Sequence, residues 1–175
     1  MIYIICLAIV IGVFGLDMLS KHLAVYYSVD KVIIPELLKF KLTYNTGAAF
    51  SFLGEYSWAI TFFAVLTITV LIGILAYMVY NAVKKKKISK WLAVSFALTF
   101  GGALGNLVDR LWLKKVRDFI FVFYNTDIFP AIFNVADIAL VVGVIMICVY
   151  LLFLEKDAIF KFKKEEKDGK EDNNG

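Results

Sequence analysis

Eight residues invite a chemical reading because they are polar or ionisable and lie in or beside long apolar runs. They are Asp17 and Lys21; Asn106, Asp109 and Arg110; Asp118; and Asn134 and Asp137. Asp118 and Asp137 have the most chemical potential. Two carboxyl groups brought together do not both ionise easily, so one keeps its proton and the other gives it up. The ionised member can take a proton from water while the neutral member donates to a carbonyl oxygen, the division of labour in an aspartic-protease pair. Two aspartates nineteen residues apart are common, so spacing alone does not decide it.

Each of these residues also has a plainer reading. Asp17 and Lys21 are four apart, which suits an ion pair along one helix flank. Asn106, Asp109 and Arg110 share a helix face at i, i+3 and i+4. Arg110 can hold a carboxylate or a lipid phosphate through its planar fork, or anchor a helix end by snorkelling. Asp109 can pair with a neighbouring base. Asn134 followed three residues later by Asp137 resembles a capping box at the mouth of the run that continues to Leu154.

The elements that must position these groups are membrane spans. The chain has 175 residues, 61% of them apolar, with a mean hydropathy of +0.79. Soluble domains sit nearer half apolar. Four apolar runs, about 1–22, 58–83, 91–111 and 133–154, approach or reach the ~20 residues needed to cross a bilayer. The first lacks a basic leader and a small-x-small cleavage site, and reads as a retained span. The expected fold is an all-α membrane protein of four transmembrane helices with a small extracytoplasmic β-sheet and loop region. Residues 1–160 form one domain, and 161–175 a charged, disordered cytoplasmic tail.

Charge sets the expected orientation. Five lysines fall between Lys84 and Lys90, and six more follow Leu154. Short basic segments stay cytoplasmic, which places both termini inside and the other two loops outside. The net charge of +4 then reflects topology and attraction to anionic phospholipid rather than nucleic-acid binding. Cys6 and Cys148 lie within apolar runs, and His22 is the sole histidine, so no disulfide or metal framework is expected. No cofactor is called for.

The first outer loop alternates through "LLKFKLTYNTG": Phe40, Leu42 and Tyr44 on one side, Lys39, Lys41, Thr43 and Asn45 on the other. That is the period of a half-buried strand, closed by a turn at Asn45–Gly47. The second outer loop predicts a short strand or hairpin with a turn at Asn125–Asp127. "GGALG" places Gly101 and Gly105 four apart, a pattern for close helix packing.

This orientation puts the polar ends of the first, third and fourth spans at one membrane depth. Charges in hydrocarbon cost about 2.5–3.5 kcal/mol each and mark function by default. Two rivals remain. A proton- or ion-coupled transporter would place its acids near the midplane, often within repeats; the midplane stretches lack acids. A non-catalytic assembly subunit would use Asp118 and Asp137 only as caps.

The motifs "DMLSK" (17–21), "YNTGAAFSFL" (44–53), "GGALGNLVDRL" (101–111), "VRDFI" (116–120) and "FNVAD" (133–137) resemble, in order, the five signature blocks of the lipoprotein signal peptidases, or type II signal peptidases. The resemblance covers the chain from Asp17 to Leu154. It implies an aspartic endopeptidase of the bacterial cytoplasmic membrane that cuts prolipoproteins before a diacylglyceryl-modified cysteine, acting as a monomer near the outer surface. It implies that Asp118 and Asp137 are catalytic. It implies that Asp17, Lys21, Asn45, Gly47, Asn106, Arg110 and Asn134 line or support the site. Two departures stand out. Tyr44 replaces the usual Arg or His, and Arg117 replaces an apolar residue, with expected effects on substrate preference or headgroup contact.

Overall fold

The computed structural model describes residues 1–46, 58–84, 87–124 and 131–154. Four helices dominate: α1 (Ile2–Tyr26), α2 (Ala59–Val83), α3 (Lys90–Leu113) and α4 (Val135–Val149), whose last turn widens into π geometry over Tyr150–Leu154. All four, α4 with its π turn, are long and apolar enough to cross a membrane. Their bounds fall within a few residues of those expected from hydropathy.

The least hydropathic helix is the central one. α3 has a mean hydropathy of 1.5 and is buried along 61% of its apolar window; α1 has 2.5 and is buried along 11%. Lipid demands apolar side chains, whereas a helix wrapped by other helices can carry polar ones if they find partners. Ser95, Thr99, Asn106 and Asp109 are all buried on α3. Glycines bring the neighbours close. A Cβ on Gly101 would meet the Val13 side chain of α1, and one on Gly102 would overlap the Ala136 carbonyl oxygen of α4.

At one end of the bundle lies a four-stranded antiparallel sheet in the order β1 (Asp30–Ile34), β2 (Leu38–Asn45), β3 (Val116–Val122), β4 (Ala131–Phe133). β1 is exposed along its whole length, so no apolar alternation announced it. The alternation expected through β2 fails midway. Phe40 pairs with Ile120, but Thr43 pairs with Asp118, so β2 spends one extra residue in a bulge. A bulge reverses side-chain parity. Thr43 and Asn45 therefore share a face with Phe40, and Tyr44 is exposed on the other.

Lys114, with φ 57°, closes α3 in the left-handed region and turns the chain into β3. That turn carries Asp118 back beside the end of α3. The residues 125–130, where a turn was expected, and 155–175, which include the expected tail at 161–175, lie outside the described residues.

Candidate active site

Asn134 is the organising residue, and capping is the first thing it does. It is the N-cap of α4: its side-chain oxygen accepts from the Asp137 N–H (3.0 Å), and Asp137 Oδ2 accepts from the Asn134 N–H (3.0 Å). The complete capping box fixes one oxygen of Asp137. The other, Oδ1, accepts from Asn106 Nδ2 at 2.7 Å. The plain and the chemical readings of Asp137 are thus both served by one carboxylate.

The Asn134 amide faces the other aspartate. Its Nδ2 donates to Asp118 Oδ1 (2.7 Å) and to Asn106 Oδ1 (3.1 Å). Asn45, brought to the Asp118 face by the β2 bulge, donates to Asp118 Oδ2 at 3.1 Å. Asn134 is fully buried, with 0% exposure, and Asp118 has 3%. Burial first, and then the nearby charge of Asp137, pushes the Asp118 carboxyl up to about 7; the Asn45 and Asn134 hydrogen bonds oppose this.

Both aspartates line one cavity of about 560 Å³, together with Asn45, Asn106 and Arg110. Its wall continues along α4 as Ile138, Leu140 and Val141, so a polar floor adjoins an apolar channel. Arg110 lies 5.8 Å above the Phe63 ring. Its buried Nε has no hydrogen-bond partner among the described residues.

Asp17 and Lys21 sit one layer behind. Lys21 Nζ is 2.7 Å from Asp17 and 3.3 Å from Asp109, and it donates to Asn106 Oδ1 at 3.0 Å. Asp17 accepts from the Ala136 N–H at 2.9 Å, tying α1 to the first turn of α4. Gly105 leaves room for the Asp17 carboxylate. The expected Asp17–Lys21 ion pair is present. Spacing alone did not show that it also reaches Asn106.

Of the nine residues singled out, Gly47 lies outside the described residues. Five line the cavity, Asn134 bridges the two aspartates, and Asp17 and Lys21 brace them from behind. Arg117, expected to affect substrate preference or headgroup contact, turns inward and pairs with Asp109. Tyr44 is exposed and carries Lys115 Nζ 3.8 Å from its ring centroid.

The sequence profile described as Signal peptidase (SPase) II matches residues 9–153. The chain belongs to the signal peptidase II family. It is 46% identical over 146 residues to the lipoprotein signal peptidase of Pseudomonas aeruginosa (strain UCBPP-PA14), covering 79% of this chain and 82% of the relative. It is 45% identical over 140 residues to that of Coxiella burnetii (strain Dugway 5J108-111), covering 78% and 83%. A solved structure described as "Bacterial membrane enzyme structure by the in meso method at 1.9 A resolution" superposes with a TM-score of 0.70 at 33% identity, covering 87% of this chain and 94% of that one. Signal peptidase II is a protease family, and this member is a multi-pass membrane protein with four apolar helices.

Proposed function

We propose that the chain is an aspartic endopeptidase of the bacterial cytoplasmic membrane. It removes signal peptides from prolipoproteins by cutting before a diacylglyceryl-modified cysteine. The observation that carries the reading is the convergence of Asp118 and Asp137, from β3 and α4, on one cavity with Asn134 bonded to both.

In this reading the pair holds one proton. Asp118 carries it at neutral pH, consistent with a carboxyl pushed up to about 7. Asp137 accepts a proton from water as the water oxygen bonds to the scissile carbonyl carbon. Asp118 donates its proton to the carbonyl oxygen. When the tetrahedral intermediate collapses, the C–N bond breaks. The leaving amine takes the proton held by Asp137, and Asp118 recovers its own from the hydroxyl that becomes the carbonyl. Asn106 and Asn134 fix the directions of the two carboxyls.

Among the described residues, Arg110 lines the cavity with an unpartnered Nε and can meet the substrate, through a peptide carbonyl or the phosphate of a neighbouring phospholipid. The apolar wall along α4 suits a lipid chain or the apolar segment of a signal peptide. α3 runs 24 residues from the lysine turn to the site, about 36 Å at 1.5 Å per residue. With the lysines cytoplasmic, the site opens near the outer surface and both termini lie inside. A single copy suffices, because every group invoked comes from one chain.

The test uses the purified protein in detergent with phospholipid. It is offered one prolipoprotein with and one without diacylglyceryl on its cysteine. The modified form is cut immediately before that cysteine and the unmodified form is spared. Equal cutting of both removes the lipid requirement, and cutting of neither overturns the reading. A tag inserted in the Lys84–Lys90 turn reports cytoplasmic if the orientation is right and external if it is wrong.

A further inference from the structure

Asp109 and Arg117 take no part in the reaction outlined above, yet they are closely bound. Asp109 has 1% exposure. It accepts from the Arg117 backbone N–H (3.0 Å) and from Arg117 Nε (3.1 and 3.2 Å), and it pairs with the terminal guanidinium nitrogen Nη2. A carboxylate that holds both the main chain and the side chain of one residue fixes that residue's strand. The next residue is Asp118. On its other side Asp109 meets Lys21, and Lys21 meets Asn106, which holds Asp137. Arg117 therefore connects to both aspartates, to one through the chain and to the other through four polar contacts.

Charge balance adds a second line. The groups around the pair are Asp17 and Lys21 from α1, Asp109 and Arg110 from α3, Arg117 and Asp118 from β3, and Asp137 from α4. β2 faces the site with Asn45, while its Lys39 pairs with Asp30 at 2.7 Å. Lys41 and Lys114 are exposed, and Lys115 lies over Tyr44. α2 contributes the Phe63 ring under Arg110. Among the described residues, four carboxylates face three cations, so this cluster is neutral when it holds one proton. Asp17 and Asp109 are each in contact with a cation, which leaves that proton to Asp118 and Asp137.

We propose that Arg117 is a positioning residue that acts through Asp109. It leaves Lys21 shared with Asn106 and holds the cluster at the charge at which the aspartate pair carries a single proton. Without it, Lys21 alone must neutralise Asp17 and Asp109 and is drawn away from Asn106. The cluster, now one charge more negative, retains a second proton to higher pH. This inference rests on the proposed two-aspartate reaction.

The experiment compares pH–kcat profiles of the full-length protein on a lipid-modified prolipoprotein, with Asp118→Asn as a control for the reaction itself. Arg117→Gln moves the profile to higher pH by on the order of one unit, with kcat lowered and KM nearly unchanged. Asp109→Asn moves it the opposite way. The double variant Arg117→Gln/Asp109→Asn returns it to the wild-type position, and Arg117→Lys leaves it there. A purely structural bond would lower activity and leave every profile in place, and that outcome overturns the proposal. So does a shift of both single variants in the same direction. If Arg117→Gln fails to accumulate, Asp109→Asn still decides: a profile moved to lower pH supports the proposal, and one left at the wild-type position overturns it. An active Asp118→Asn control would instead count against the two-aspartate reaction.

Discussion

Asn134 holds Asp118 and Asp137 at once: its amide nitrogen is 2.7 Å from Asp118 Oδ1, and its backbone N–H meets Asp137 Oδ2 at 3.0 Å. One residue thereby starts a helix and sets the relation between two carboxyls. These two duties can be separated. Serine is also a good N-cap, whereas alanine is not, and the loss of a cap costs about 1 kcal/mol. Asn134→Ser should keep most of the thermal stability lost in Asn134→Ala. Neither replacement can donate an amide to Asp118, so both should reduce kcat, by roughly 100-fold. Thermal unfolding in detergent and peptide cleavage measure the two effects.

The pH dependence follows from Asp118. Its carboxyl is pushed up to about 7, and in the proposed reaction its protonated form donates to the carbonyl oxygen. Cleavage should decline as pH rises through about 7, where that proton is lost. A carboxyl with an ordinary value near 4 would instead place this decline far lower. A profile of kcat against pH in detergent measures the position of the limb.

Gly102 supports the site through packing alone. A Cβ there would overlap the carbonyl oxygen of Ala136, which is backbone and cannot swing aside. Gly102→Ala should force α3 and α4 apart and cost about 1–3 kcal/mol, the usual range for overpacking. The unfolding midpoint should fall. Gly73 has open space where a Cβ would go, so Gly73→Ala should leave the midpoint nearly unchanged.

Lys21 is fully buried between two carboxylates. Removing one partner of a buried ion group costs about 3–5 kcal/mol, because the others are left uncompensated. Lys21→Met should therefore accumulate poorly in membranes. Lys21→Met combined with Asp17→Asn should recover part of that loss. Quantifying folded protein by size-exclusion chromatography checks both.

Much of this arrangement is legible in the sequence because a bilayer makes its demands openly. The four spans follow from hydropathy, and the polar groups at one depth follow from the lysine runs at the other. Asp17 and Lys21, or Asn134 and Asp137, meet by helix geometry and need no tertiary information. What depends on packing is hidden. The β2 bulge puts Asn45 on the Asp118 face against the strict alternation, and nothing local to residues 40–43 announces it. β1 is exposed at every position, so it carries no burial pattern to read. Arg117 gives no local sign of its partner: the left-handed turn at Lys114 folds β3 back, and its guanidinium meets Asp109.

The proposed reaction has Asp118 and Asp137 together activate water. Its most direct measurement is the single-turnover cleavage rate of a lipid-modified prolipoprotein by wild type, Asp118→Asn and Asp137→Asn, each shown to be folded. Either substitution alone should lower the rate by at least about 1,000-fold, since each removes an indispensable half of the proton transfer. Cleavage by either variant at a rate near that of wild type would contradict it.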